Sequence, residues 1–172
     1  MTRKNPEIEY KIEPLGTHHD RAAFSCGVPA LDIYLQRQAG QDLQRNLAAV
    51  FILTSDSKAV AGFYTLSAHS IQAAELPERL AKKLPRFPLP VTLLGRMAVS
   101  RLSQDRRLGE FLLMHALERA WLGSHQVASW AVVVDAKAGA RDFYLEHDLV
   151  PLPSQPDRLV LPMRTIEKLF SS

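Results

Sequence analysis

Residues 94 to 109 read Leu94-Gly95-Arg96-Met97-Ala98-Val99-Ser100-Arg101-Leu102-Ser103-Gln104-Asp105-Arg106-Arg107-Leu108-Gly109. They join an apolar strand pattern, Val91 to Val99, to a helical pattern that starts near Arg107 and runs to about Leu122. A strand that stops at a helix N-terminus leaves several backbone N–H groups unpaired and converging on one point. The helix dipole adds positive potential there. A pyrophosphate fits such a turn. Arg106 and Arg107 bring two formal positive charges to it, so the turn is read as a site for an anionic ligand.

Working outward, Ser129 to Val134 reads as a short buried strand and Ala136 to Glu146 as a helix. Leu149 to Leu152 and Asp157 to Met163 read as two more strands. Toward the N-terminus, Leu47 to Thr54 and Ala59 to His69 are strand-like and are separated by Ser55-Asp56-Ser57-Lys58, which predicts a hairpin. Val28 to Arg45 has helical spacing, with Pro29 suited to the first turn and an apolar stripe at Leu31, Tyr34, Leu35, Gln38 and Leu43. Residues 7 to 15 predict an edge strand, Thr17 to Asp20 cap a short helix, and a second short helix falls near Pro77 to Leu84 in a Pro-rich loop. The order β-α-α-β-β-β-α-β-α-β-β predicts an α/β fold, a mixed sheet with helices on both faces.

The chain has 172 residues, 47% of them apolar, which fits one domain spanning 1–172. The single cysteine, Cys26, excludes an internal disulfide and is read as a buried structural thiol. This fits a cytoplasmic protein. The N-terminus has no signal-peptide pattern, and no apolar run reaches membrane-spanning length. The net charge of +3 permits an anionic partner. The six histidines show no metal-ligand spacing, and the adjacent His18 and His19 are expected to diverge. No metal site and no general base stand out.

Gln104-x-x-Arg107-x-Gly109, with Leu94-Gly95-Arg96-Met97-Ala98-Val99 before it and Phe143-Tyr144 after, resembles the pyrophosphate turn and flanking motifs of the GCN5-related N-acetyltransferases. The resemblance implies the acetyltransferase fold: a mixed, largely antiparallel sheet of six or seven strands with helices on both faces. It also implies acetyl-CoA as co-substrate. In that fold the strands at Val91 and Ser129 splay apart, and the pantetheine arm fills the gap like an added strand. Met97, Ala98 and Val99 would hold the arm by their backbone. Gln104, Asp105, Arg106, Arg107, Leu108, Gly109 and Glu110 would surround the pyrophosphate. Asp135 would bind the pantetheine amide or cap the following helix, and Phe143 falls in the same motif. Tyr144, protonated at neutral pH with an ordinary pKa of about 10, would donate a proton to the CoA sulfur. One position departs from the pattern: Arg107 stands where the family has glycine, which lets the backbone approach a phosphate.

The N-terminal half is similar to one branch of that family. Phe24-x-Cys26-Gly27-x-x-x-Leu31-Asp32-x-Tyr34-Leu35, then Ala39-x-Gln41-Asp42, then Val50-Phe51, resembles the acetyltransferase toxins of bacterial toxin–antitoxin pairs. The resemblance spans roughly residues 10 to 165. It implies acetylation of the α-amino group of aminoacyl-tRNA, which blocks translation. It implies a ribbon-helix-helix antitoxin that also binds operator DNA, and a homodimer. An α-amino group titrates near about 7.7 to 8.0 and is partly neutral at physiological pH, so a missing base matters little. Lys82, Lys83 and Arg86 cluster in the Pro-rich segment and are candidates for tRNA contact by counterion release. The competing readings are an N-acetyltransferase acting on a small amine or a protein, and a non-catalytic module that binds RNA or a partner.

Overall fold

The computed structural model describes residues 8–136 and 139–171; the side chains of Asp105 and Arg106 also lie outside what is described. The elements are β1 (Lys11–Pro14), α1 (Pro29–Ile33), a π-helical turn (Tyr34–Gln38), α2 (Ala39–Gln44), β2 (Ala49–Thr54), β3 (Gly62–Ile71), α3 (Glu78–Ala81), β4 (Leu89–Val99), a 3-10 turn (Arg101–Arg106), α4 (Leu108–Gly123), β5 (Ala131–Asp135), α5 (Arg141–Glu146), β6 (Val150–Leu152), β7 (Gln155–Pro162) and α6 (Met163–Phe170). The seven strands form one sheet in the order β1-β2-β3-β4-β5-β7-β6. Only β4 and β5 run parallel; the other neighbours are antiparallel.

Strand alternation sorts the apolar side chains onto two faces. On one face, Phe51, Leu53, Tyr64, Leu94, Val132, Val134, Leu159 and Leu161 pack with Leu108, Leu112, Leu113, Ala116 and Leu117 of α4 and with Ile166 of α6. The opposite face carries two separate covers. Leu31, Tyr34, Leu35 and Ala39 lie over Val50, Ile52, Phe63 and Ala98. Leu76, with Leu80, Ala81 and Leu84, lies over Ile71, Leu89, Val91, Ala131, Val133 and Val160.

The irregularity that positions the site is in β4. Thr65 of β3 is opposite Arg96, but the next residue, Leu66, is opposite Leu94. Gly95 is therefore the extra residue of a β-bulge, which bends the strand that carries it. The parallel pairing of β4 with β5 covers Val91 to Leu94 and ends there, at Leu94 opposite Val134. The antiparallel pairing with β3 resumes past the bulge and continues to Val99 opposite Gly62. Gly62 packs close under this segment: a Cβ added to it would fall 2.8 Å from the Ala98 carbonyl oxygen.

Several sequence expectations need correction. Thr17 to Asp20 forms a turn, with His19 N–H donating to the Gly16 carbonyl and Asp20 bridging to Ala59. The helix from Val28 is interrupted by a π turn in which Ala39 N–H reaches the Tyr34 carbonyl. The wider turn seats Ala39 on the buried stripe, while Gln38 is exposed. The expected Ala136 helix starts only at Arg141, with Gly139 at φ +79 before it. α6 lies beyond the expected elements, which end with the strand at Met163: it is an amphipathic helix of eight residues that buries Met163 and Ile166 and packs Phe170 against the core.

Candidate active site

Past Leu94, β4 presents a strand edge with no neighbour from β5. The space beside it is a cavity of about 170 Å³ lined by Met97, Ala98, Val99, Gln104, Asp135, Ala140 and Tyr144, with Cys26, Val28 and Leu31 from the α1 side. Five of the sequence-derived residues thus come together with Tyr144 on one cavity wall.

The turn after β4 is built by side-chain bonds. Ser100 Oγ accepts from Leu102 N–H. Gln104 Nε2 donates to the carbonyls of Val99 (3.1 Å) and Cys26 (3.0 Å), tying the turn to the end of β4 and to the loop before α1. Both amide hydrogens of Gln104 are consumed, so its side chain holds the turn. Arg107 is the N-cap of α4 and has φ +55, ψ 27, the left-handed region. That explains why glycine suits this position: a side chain there costs about 1–2 kcal/mol. Leu108, Gly109 and Glu110 form the first turn of α4, whose leading N–H groups lack helical partners. Leu108 is buried, and Arg107 and Glu110 are exposed. Gly27, before α1, has φ +96 and faces Arg101 of the same turn.

α5 delivers Tyr144 and Phe143. The Phe143 ring lies against Gly109, where a Cβ would meet it at 3.7 Å. It packs edge-on to Tyr144 at 5.3 Å between centroids. Tyr144 is 4% exposed. Burial pushes its phenol above the ordinary tyrosine value, so it holds its proton at any physiological pH. Cys26, also on the cavity wall, is pushed up to about 11 by burial and by its bond with Asp32, so it is an unreactive thiol at neutral pH.

Asp135 does not cap α5, which has Ala140 at its N-cap and no side-chain cap bond. Its two oxygens receive Nε (2.7 Å) and Nη2 (3.2 Å) of Arg158 on β7. Sequence reasoning missed Arg158, which sits in no motif. Arg96 stacks its guanidinium over the Tyr34 ring at 3.7 Å. Lys82, Lys83 and Arg86 follow α3, are exposed, and do not line the cavity.

His18 and His19 do not diverge. Both Nε2 atoms approach Glu13 Oε1, at 3.3 and 2.7 Å. His19 Nδ1 accepts from Gly16 N–H at 3.0 Å. Its proton is therefore on Nε2 and is donated to Glu13, leaving no lone pair for a metal. The trio pins the loop after β1. Among the described residues it is the one His/Cys/Asp/Glu group close enough to hold an ion.

A tRNA-acetylating toxin from Mycobacterium tuberculosis (strain ATCC 25618 / H37Rv) is 35% identical over 152 residues, covering 88% of this chain and 90% of its own. The chain belongs to the tRNA-acetylating toxins. The probable toxin TacT of Sinorhizobium fredii (strain NBRC 101917 / NGR234) is 32% identical over 170 residues, 92% of this chain and 94% of that one. No profile of a protein family matches the chain. Among solved structures, AtaT complexed with acetyl-methionyl-tRNAfMet superposes with a TM-score of 0.87 at 29% identity, covering 95% of this chain and 100% of that one. A tyrosine-to-phenylalanine variant of AtaT, bound to the C-terminus of the antitoxin AtaR and acetyl-CoA, gives 0.81 at 28%, covering 95% and 99%. The KacTA–DNA complex gives 0.77 at 25%, covering 95% and 99%. The fold is thus that of this acetyltransferase toxin family, as the motifs around Leu94 to Gly109 implied.

Proposed function

We propose that this tRNA-acetylating toxin transfers the acetyl group of acetyl-CoA to the α-amino group of the amino acid on charged tRNA, and so blocks translation. The observation that carries this reading is the unpaired edge of β4 at Met97 to Val99, flanked by the N-terminus of α4 on one side and Tyr144 on the other. An extended amide chain pairs with such an edge as a strand would. The turn from Gln104 to Glu110 receives its pyrophosphate, with Arg107 supplying charge beside the α4 N–H groups. The Arg106 side chain and that of Asp105 lie outside the described residues.

The neutral amine attacks the thioester carbonyl, forming the C–N bond. The C–S bond breaks, and Tyr144 gives its proton to the departing sulfur. The ammonium proton passes through water back to the phenolate of Tyr144, which restores the acid and leaves the amide and the free CoA thiol. A buried tyrosine, which resists ionisation, stays loaded for this role. The same reading assigns a single catalytic domain, a cytoplasmic location, a homodimer, and a ribbon-helix-helix antitoxin that brings operator DNA. Among the described residues, no helix is long and apolar enough to cross a membrane.

The test is cell-free translation. Protein added with acetyl-CoA should halt synthesis, and protein added without acetyl-CoA should not. Inhibition that ignores acetyl-CoA would reject the enzymatic reading.

A further inference from the structure

The two covers on the α3 face of the sheet leave a gap between them, and a bridge of polar side chains crosses it. Asp135 ends β5, and its register partner on β7 is Arg158. Alternation places both on the face of Val133 and Val160, the face that α3 covers. Arg158 continues past Asp135: its Nη1 lies 3.2 Å from Nε2 of His69 on β3. His69 shares that face with Ile71. The bridge Asp135–Arg158–His69 therefore reaches from β7 to β3 across β5 and β4, with Asp135 one residue past the last pair of β4 and β5 and His69 level with the first.

Its hydrogen-bond polarity is fixed by chemistry. Arginine has only donors, so His69 Nε2 accepts and the ring proton is on Nδ1. The carboxylate of Asp135 keeps its remaining lone pairs, and Asp135 lines the cavity beside Met97 to Val99. The other end offers donors alone: the Nδ1–H of His69 and the guanidinium hydrogens of Arg158 not used by Asp135 or His69. Arg158 is about one-fifth exposed, so its guanidinium is held in place yet open to solvent. A fixed guanidinium flanked by an imidazole N–H suits phosphate oxygens and is unsuited to an ammonium.

We infer that Arg158 and His69 form a contact for a phosphodiester at the 3′ end of the acceptor tRNA, on the side of the sheet gap opposite the acetyl donor's pyrophosphate turn. This rests on the reading of the chain as an acetyltransferase of charged tRNA. Arg158 and His69 are then positioning residues: they set where the esterified amino acid stands.

The test compares two acceptors carrying the same amino acid. One is a charged minihelix with its 3′-terminal phosphodiesters; the other is the aminoacyl-adenosine, which has none. The ratio of their kcat/KM values isolates the phosphate contact from any effect on acetyl-CoA. Arg158→Gln and, separately, His69→Ala should lower that ratio by about tenfold, the size expected for one lost hydrogen bond to a charged group. His69→Ala leaves the Asp135–Arg158 pair intact, which guards against a folding defect. An unchanged ratio in both variants, with the wild type acetylating both acceptors, would overturn this assignment and leave the function standing. A wild type that acetylates neither acceptor would overturn the function and this inference with it.

Discussion

Leu94 pairs with Val134, and beyond that pair the two parallel strands no longer bond. Gly95 follows at once as the bulge residue. The bulge and the end of the pairing coincide, so one extra residue accounts for the open edge on which the proposed acetyl-CoA site depends. The edge lies beside Tyr144 and leads into the α4 turn.

The role of Tyr144 predicts a split between binding and turnover. Tyr144→Phe removes the hydroxyl and keeps the ring against Phe143. Acetyl transfer should fall by about 10²-fold or more. The acetyl-CoA dissociation constant, read by calorimetry, should stay within about twofold. Unchanged turnover would remove Tyr144 from the chemistry.

Gly109 predicts a charge effect without a steric one. A Cβ there meets Phe143 at an ordinary 3.7 Å, so Gly109→Ala should fold with wild-type stability. Gly109→Asp puts a negative charge at the α4 N-terminus and should weaken acetyl-CoA roughly tenfold, about 1.4 kcal/mol. Equal affinity of the aspartate variant would move the pyrophosphate elsewhere.

Arg107 predicts the opposite of a usual substitution to glycine. Its φ of +55 penalises any side chain. Arg107→Gly should stabilise the fold by about 1 kcal/mol in urea denaturation. A loss of stability would mean that the arginine makes compensating contacts.

Gly62 is required by space. With the Ala98 carbonyl oxygen only 2.8 Å from a Cβ built on it, and Leu112 at 3.0 Å, alanine has no room. Gly62→Ala should cost about 1–3 kcal/mol. Because the clash is with β4 itself, acetyl-CoA affinity should fall too. Wild-type stability in this variant would contradict the close approach of β3 to the splayed segment.

The Glu13 loop pin predicts a pH dependence of stability. The His19 hydrogen bond, with smaller contributions from His18 and Lys11, lowers the Glu13 carboxyl to about 2. A depressed folded pKa gives stability that is present above the ordinary value of 4.5 and lost as pH falls toward 2. The stability gap between wild type and Glu13→Gln should therefore be widest above pH 4.5 and close as pH falls to about 2. Denaturation curves across that range check it; a gap that widens on acidification would reverse the assignment.

The strand-to-helix turn at Leu94 to Gly109 was legible because its residues are contiguous and its chemistry is local. The hairpin, the long α4 and the helix from Val28 were legible by their periods. What sequence could not reveal depends on distance along the chain. His69 and Arg158 are 89 positions apart and meet only because β3 and β7 share a face. The sequence offered Asp135 as a helix cap, but the partner that occupies it is 23 residues on. The sequence predicts that His18 and His19 diverge, as neighbours in a strand or helix do; in a tight turn that bonds His19 to Gly16, both converge on Glu13. The left-handed geometry at Arg107 was hidden because the one residue that advertises it, glycine, is absent.

The most direct experiment incubates the protein with labelled acetyl-CoA and bulk charged tRNA, digests with RNase, and analyses the aminoacyl-adenosines by mass spectrometry. An N-acetylated aminoacyl-adenosine is the expected product, and it would also name the amino acid chosen. Acetyl-CoA bound with no acetyl group on any aminoacyl-adenosine would contradict the proposed function.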